Sequence, residues 1–346
     1  MKKEREKTFD IMKCFAIFAV VVTHVSGDIW YGYLDGETFD INGFVQSSIW
    51  LGVAKYGVPV FLMISGALLL RKTYATKDVA KKATMTVGSL VFLLVVYYIV
   101  EAIVETRNFG IVFQKVAKGL VMGTGPIYYW YLYVLFGIYL ILPFLKVLVD
   151  GITRGQYIYL LCLIFLSTAA LPLVLLVVPY DISTLIKMLE MGLQNMSGYV
   201  GYFLLGYYLE KYEEKNGKWF IYLMGMIGIY TAVYLGCHQA EFMEEYMSYT
   251  MPGVVMYGAM MYLLLRRSAR FLANTKLASV LSSVGQKTLG IYIIHMPVLM
   301  VLYSLGFNPG DMLPAVSIPI ASVIVLVISY ILVSGMRLIP GVRRLI

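Results

Sequence analysis

"FDIMKCFAIFAVVVTHVSG", residues 9–27, is an apolar run that follows the basic segment "MKKEREK" at residues 1–7. With the apolar residues up to about residue 30, it is long enough to cross about 30 Å of hydrocarbon as a helix. The run nevertheless contains His24, and an ionisable side chain in a spanning helix is a functional candidate because the bilayer penalises its charge. The stretch predicts an integral membrane protein whose first helix carries part of a site.

The composition extends this prediction to the whole chain. Of 346 residues, 60% are hydrophobic and 14% are charged, and the mean hydropathy is +0.77. These values exclude an ordinary soluble domain. The net charge of +8 does not indicate nucleic-acid binding, because an excess of Lys and Arg in a membrane protein first reflects the positive-inside rule. Three scattered cysteines do not form a disulfide framework.

Apolar segments and basic loops predict the topology. The polar stretches 108–123 and 271–286 are expected to lie at the interface or to re-enter the membrane. Basic residues concentrate in alternate loops, starting from the N-terminal segment, which places both termini in the cytoplasm. We therefore predict one all-α domain over residues 1–346, a polytopic bundle of about ten transmembrane helices. The expected spans are 9–30, 45–70, 83–104, 126–149, 156–179, 197–210, 218–237, 251–266, 288–306 and 314–336.

The first helix aligns three polar residues. At about 100° per residue, Lys13 and His24 fall on nearly the same face, with Asp10 within roughly 60° of both. His24 lies about 16 Å along the axis from Lys13, a separation comparable to the extended pantetheine arm of coenzyme A. The stripe thus suits a phosphorylated, thioester-bearing donor. The alternative is that Lys13 snorkels to lipid headgroups and His24 only forms a hydrogen bond between helices.

A second histidine and many tyrosines add to the candidate site. His295, in "LGIYIIHMP", precedes Pro297, which is expected to disturb the helix and leave free carbonyls near the ring. Among 29 tyrosines, Tyr131 and Tyr133 lie too deep in their span for an interfacial belt alone. Aromatic walls with hydroxyls suit a sugar or a lipid-linked sugar, the alternative being belt and packing. The histidines lack paired metal-ligand spacing, so no metal is predicted.

Five blocks in order give a resemblance to a known family. They are "FDIMKCFAIFAVVVTHVSG", "GVPVFLMISGALLLRK", "YYWYLYVLFGIYLILPFL", "YFLLGYYLEK" and "LGIYIIHMP". Together they resemble the acyltransferase family 3 integral membrane proteins, which O-acylate cell-surface polysaccharides, peptidoglycan or lipopolysaccharide. The resemblance covers essentially the whole chain and implies a multi-pass protein of the bacterial cytoplasmic membrane that modifies the cell envelope.

The resemblance also assigns residues. Family members carry an arginine, ten residues and then a histidine in the first helix, and the histidine is taken as catalytic. Here His24 matches that histidine, while Lys13 replaces the arginine, which keeps the charge but loses the bidentate fork. His295 matches the histidine of the family's late block, which makes it a second catalytic candidate. Trp130 and Tyr131 match the family's aromatic element and, with Tyr133 and Asp10, are the predicted acceptor-binding residues.

A basic loop after the second span is expected to hold the anionic donor. Many members have an R-x-x-R element there, whereas this chain has Arg71 and Lys72 followed by Lys81 and Lys82. The matching spacing is missing, but the positive charge at the cytoplasmic side is kept. With Lys13, these four residues are the predicted binding site for acyl-CoA, the donor substrate.

The sequence thus predicts transfer of an acyl group, most simply from acetyl-CoA, to a hydroxyl of a glycan or lipid-linked acceptor. His24 would act as general base or as transient acyl acceptor. The alternative is a carrier or flippase for a small polar solute or a lipid-linked sugar, with the histidines as a proton relay. A similar membrane domain precedes the soluble racemase of vancomycin-type serine racemases. The expected partners therefore include membrane lipids, a second copy or a missing soluble domain, but no nucleic acid.

Overall fold

The described part of the chain is mainly helical. The computed structural model describes residues 2–35, 40–122, 126–177, 198–212, 225, 227–228 and 248–346, and these contain no β-strand. Short π or 3-10 turns lie at 102–106, 109–111, 127–129, 166–170, 309–311 and 342–344. The α-helices are α1 (Lys2–Asp35), α2 (Ile41–Ala54), α3 (Gly57–Leu69), α4 (Thr76–Glu101), α5 (Val112–Met122), α6 (Trp130–Gly151), α7 (Arg154–Phe165), α8 (Leu171–Val177), α9 (Gly198–Lys211), α10 (Pro252–Leu272), α11 (Ala278–Gly285), α12 (Thr288–Ser304) and α13 (Pro314–Met336).

Several of these helices can cross a membrane. Helices α11 and α12 are long and apolar enough to cross a membrane only when they are taken together, and the pair is bent by 75°. If this pair forms one span, the described residues contain up to seven spans. The all-helical membrane fold is therefore confirmed. The six single candidates are Lys7–Tyr33, Ile41–Leu69, Thr76–Thr106, Trp130–Gly151, Arg154–Val174 and Pro314–Met336.

The expected count of ten helices is not confirmed. The segments expected at 197–210 and 251–266 are helical, as α9 and α10, but are not among the candidate spans. Helix α9 has only 14 residues, and the last turns of α10 are rich in arginine. The span expected at 218–237 lies outside the described residues except at 225, 227 and 228.

One compact unit comprises residues 1–16, 52–73 and 144–275. Its centre is the contact between α3 and α9, where glycines let the two backbones touch. A β-carbon at Gly66 would overlap the carbonyl of Phe203, and one at Gly206 would overlap the backbone of Met63. Only glycine permits so close an approach. Helix α10 also packs on α3, at Gly258, where a β-carbon would overlap the side chain of Pro59.

The second compact unit comprises residues 17–51, 74–143 and 276–346. Helix α12 is its centre and packs against α4 and α13. Every residue from Gly290 to Leu299 is buried. Hydrogen bonds fasten the surrounding segments: the Trp30 indole donates to Ser48 at 3.0 Å, and Ser89 donates to the Leu345 carbonyl at 2.7 Å. This unit contains both predicted catalytic histidines.

Candidate active site

The two histidines from opposite ends of the chain lie side by side. His24 stands on α1 and is half-buried, and its ring centroid is 5.1 Å from that of His295 on α12. The planes of the two rings are inclined by 43°. The rings of Tyr128 and His24 lie edge to face, with 5.6 Å between their centroids. The half-buried imidazole of His24 thus lies beside the fully buried imidazole of His295.

His295 is fixed by its own helix. Its side chain is 1% exposed, and Nδ1 lies 2.7 Å from the Tyr292 carbonyl and 3.2 Å from that of Ile291. Because carbonyl oxygens only accept hydrogen bonds, the neutral ring carries its hydrogen on Nδ1 and presents the Nε2 lone pair. Among the described residues Nε2 has no hydrogen-bond partner. A buried ring nitrogen left in this state is available to a substrate or a transferred proton.

The structure does not show the expected effect of Pro297 on the surroundings of the His295 ring. Helix α12 continues through this proline to Ser304. The carbonyls that hold the His295 ring are those of Ile291 and Tyr292, one turn before it. The missing proline N–H would instead have served Ile293, four residues earlier. The ring is thus held by back-bonding along the helix rather than by carbonyls that the proline sets free.

Tyrosines form the wall around the two imidazoles. Tyr128 contacts Tyr129 and Tyr97 edge to face, at centroid distances of 4.9 and 5.9 Å. The hydroxyl of Tyr292 donates to the Tyr128 carbonyl and so ties α12 to the turn before α6. Burial raises the pKa of Tyr128 and Tyr129 well above the ordinary range, so both phenols stay protonated. The Tyr129 hydroxyl, like His295 Nε2, has no hydrogen-bond partner among the described residues.

The predicted acceptor-binding residues are only partly in this cluster. Tyr131 reaches it, with its ring 5.6 Å from that of Tyr292, and Trp130 lies edge to face against Tyr131 at 6.2 Å. Tyr133 is 40% exposed, and its hydroxyl donates to the Gly119 carbonyl at 3.1 Å. The Asp10 carboxylate pairs with Lys13. Tyr131 therefore joins the cluster through Tyr292 and Trp130 joins it through Tyr131, whereas Tyr133 bonds to α5.

The predicted donor-binding residues occupy different settings. Lys13 is 3.2 Å from Asp10, in an i, i+3 pair on α1. Lys82 lies over the rings of Tyr74 and Tyr139, at 5.8 and 5.3 Å from their centroids. Lys72 and Lys81 are exposed. Lys72 and Lys81 thus lie at the surface, whereas Lys82 lies against two aromatic rings.

Arg71 belongs to a buried ion cluster that the sequence did not predict. One carboxylate oxygen of Glu210 is 2.7 Å from Arg71 Nη2, and the other is 2.6 Å from Arg266 Nη2. Glu210 and Arg266 are 5% and 6% exposed as side chains. Arg71 also stacks on Phe9, at 5.6 Å from the ring centroid. The charges of Arg71, Glu210 and Arg266 are thus engaged with one another inside the protein.

Among the described residues no group of three or more His, Cys, Asp or Glu side chains is arranged to hold a metal ion. The chemistry available in the cluster is that of imidazoles and phenols. These groups move protons and donate hydrogen bonds to a developing negative charge on oxygen.

The comparisons with known proteins identify the family of the chain. Residues 6–334 match the acyltransferase family 3 family, described as an acyltransferase domain. No curated protein and no solved structure matches the chain. The match includes both histidines, the tyrosine wall and the ion cluster. The chain is a member of acyltransferase family 3 and a multi-pass membrane protein.

Proposed function

We propose that this protein transfers an acyl group, most simply acetyl from acetyl-CoA, to a hydroxyl of a cell-surface glycan or a lipid-linked precursor. Membership of acyltransferase family 3 supports acyl transfer in general. The observation that carries the proposal further is the pairing of His24 with His295, at 5.1 Å between ring centroids, within a wall of tyrosines. We place this reaction in the bacterial cytoplasmic membrane, with both chain termini in the cytoplasm.

His24 is the proposed base because it is the more accessible imidazole. It takes the proton of the acceptor hydroxyl while the hydroxyl oxygen attacks the thioester carbonyl carbon. The carbon–sulfur bond then breaks, and the proton passes from His24 to the sulfur, so coenzyme A leaves as a thiol and the ring returns to its neutral state. In the alternative sequence, a nitrogen of neutral His24 attacks the thioester carbonyl carbon, the carbon–sulfur bond breaks, and coenzyme A leaves as a thiol with the proton of the other ring nitrogen. The acceptor hydroxyl oxygen then attacks the acyl carbon, the bond from that carbon to the ring nitrogen breaks, and the hydroxyl proton returns to the ring.

His295 and the tyrosines are proposed to support this step. The Nδ1 bonds of His295 leave its Nε2 lone pair unused among the described residues, and the centroid of the His24 ring is 5.1 Å from that of His295. That lone pair can hold His24 by a hydrogen bond, directly or through a water molecule. The protonated phenol of Tyr128, edge-on to His24, is a hydrogen-bond donor for negative charge that develops on the thioester oxygen.

The donor is proposed to approach from the cytoplasmic side. The diphosphate and 3′-phosphate of coenzyme A carry several negative charges, and the basic residues expected there are Lys13, Lys72, Lys81 and Lys82. Arg71 is expected to contribute less, because Glu210 already holds its guanidinium. Lysines act on phosphates as point charges, without the two-pronged geometry of arginine.

Transport is the competing function. Family membership favours acyl transfer over a carrier or flippase, and a reconstituted assay separates the two. Purified protein in liposomes is given [acetyl-¹⁴C]CoA and a glycan extract, and label in the glycan or on the protein is measured. We expect labelling by the wild type and at least about a hundredfold slower labelling by His24→Ala. Counterflow of serine or of a lipid-linked sugar without any label transfer would overturn the proposal.

A further inference from the structure

A polar cavity begins one helical turn beyond His24. Its volume is about 350 Å³, and its walls come from the end of α1, the end of α12 and the following loop. The polar side chains that line it are Asp28 and Tyr33 on α1, Tyr303 on α12, and Asn308 and Asp311 in the loop. None of the described residues in the lining is basic. The volume is at the small end of the range for ligand pockets.

The same two helices that hold the histidines build this cavity. Asp28 follows His24 by four residues, so it lies on the same face of α1, about 6 Å further along the axis. Tyr303 follows His295 on α12, and its hydroxyl donates to Asp28 Oδ2 at 3.3 Å. The two histidines and the cavity therefore lie one after the other along the contact between α1 and α12.

Electrostatics also connect the cavity with the cluster. The pKa of the Tyr128 hydroxyl is raised chiefly by burial and by its hydrogen bond with Tyr97, and the negative charge of Asp28 acts in the same direction. Tyr128 in turn contacts His24 edge to face. The Asp28 carboxylate is thus within electrostatic range of the groups that surround the imidazole.

The lining favours one class of ligand. Carboxylates accept hydrogen bonds from hydroxyl groups, and phenol rings offer flat faces to a pyranose ring. Two carboxylates without a basic residue beside them repel phosphate and carboxylate groups, and they attract ammonium groups. The cavity would hold one sugar unit, with its reacting hydroxyl directed along α1 towards His24.

We propose that this cavity is the acceptor subsite and that Asp28 and Asp311 make it selective for neutral or amino-bearing sugars over anionic ones. The inference rests on the proposed function, since it supplies the acceptor for the same histidines. Unlike that function, it predicts binding in the absence of any acyl donor. The two can therefore fail separately.

The test is a direct binding measurement on the purified full chain. Methyl glycosides of N-acetylglucosamine, glucosamine and glucuronic acid are titrated by calorimetry without acyl-CoA. For the wild type we expect the first two to bind at least tenfold more tightly than the glucuronide. Asp28→Asn should weaken glucosamine at least tenfold and narrow its advantage over the glucuronide. Asp150→Asn, which removes an exposed carboxylate outside the cavity, should bind all three like the wild type.

A second variant separates the loss of the Asp28 carboxylate from a change in the local structure around it. Tyr303→Phe removes the hydrogen bond to Asp28 but leaves both carboxylates, so discrimination against the glucuronide should persist. Equal binding of the three glycosides to the wild type, or unchanged binding by Asp28→Asn, would overturn the subsite. Absence of label transfer in the liposome assay, with the binding pattern as expected, would instead overturn the proposed acyl transfer and leave the sugar site standing.

Discussion

Two polar clusters lie inside this apolar protein, and they differ in the charges that they bring together. In the ion cluster, each carboxylate oxygen of Glu210 lies within 2.7 Å of a guanidinium nitrogen, from Arg71 or Arg266. In the histidine–tyrosine cluster, His295 Nε2 and the Tyr129 hydroxyl have no hydrogen-bond partner among the described residues. The first arrangement opposes every negative charge with a positive one. The second leaves bonding capacity for a ligand, which is the property expected of a reaction centre.

The largest expected effect separates activity from stability at His24. Because general base catalysis contributes about 10²- to 10⁴-fold, His24→Ala should lower the rate of acyl transfer by that factor and leave the unfolding midpoint in detergent nearly unchanged. Thr23→Ala is the matched control, since it removes only a helix-internal hydrogen bond to Ala19. If His24→Ala retained more than a tenth of the wild-type rate, the histidine–tyrosine cluster would not be the reaction centre.

The ion cluster should show the opposite behaviour. Glu210→Ala leaves two arginines without their shared carboxylate, and breaking a buried ion pair in this way costs about 3–5 kcal/mol of unfolding free energy. The rate per folded molecule should change little. Asp150→Ala breaks the Lys146–Asp150 pair, whose carboxylate is 50% exposed, and should cost less than about 1 kcal/mol. Equal losses in denaturant titrations of the two variants would contradict the structural role of the ion cluster.

A smaller loss of the acyl-transfer rate is expected when His295 is replaced. Its size depends on which ring nitrogen the amide of the new side chain replaces. The amide nitrogen of asparagine can occupy the place of Nδ1, so His295→Asn should keep the bond to Tyr292 and lose the function of Nε2. We expect the transfer rate to fall about ten- to hundredfold without a loss of stability. Glutamine, whose amide reaches the position of Nε2, should retain more activity.

A double variant then tests whether the two histidines act together. If they do, His24→Ala combined with His295→Asn should be no slower than His24→Ala alone. Multiplication of the two single effects in the measured transfer rates would show that the histidines act independently.

The smallest effect is expected for the exposed lysines. Lys72→Gln and Lys81→Gln should each raise the KM for acetyl-CoA by a few fold and leave kcat unchanged, because exposed charges attract a phosphorylated ligand only weakly in water. The effect should shrink as salt is added. A change in kcat instead of KM would place these residues nearer the reaction than the donor phosphates.

The sequence was a good guide to rare residues in apolar surroundings. His24 and His295 stand out because few ionisable residues interrupt their helices, and the family blocks predicted the family that the comparison confirmed. Their contact was not predictable from periodicity, since it joins helices from opposite ends of the chain. Nor could composition tell which tyrosines form the wall, because 29 are present and Tyr128 and Tyr129 resemble any interfacial pair.

The ion cluster was missed because its residues lie next to predicted cytoplasmic loops. Glu210 and Arg266 stand where charge-rich segments begin, and such charges usually face water. In the structure α9 and α10 extend past these residues and bury them against each other's charge. These charged side chains can be buried because they pair with one another. The sequence of a single helix does not reveal such a pairing.

Helices α12 and α13 will respond differently to substitution. On α13 the buried positions recur about every third or fourth residue, as at Ser322, Val325 and Ser329. Single replacements along α13 should therefore alternate between variants that keep their stability and variants that lose it. On α12 the ten positions from Gly290 to Leu299 are all enclosed, and such a scan should show uninterrupted damage. Lipid-soluble cysteine reagents should likewise label one side of α13 and leave this part of α12 unlabelled. This part of α12 therefore offers no lipid-facing side, and any ligand reaches the His295 imidazole through protein-lined space alone.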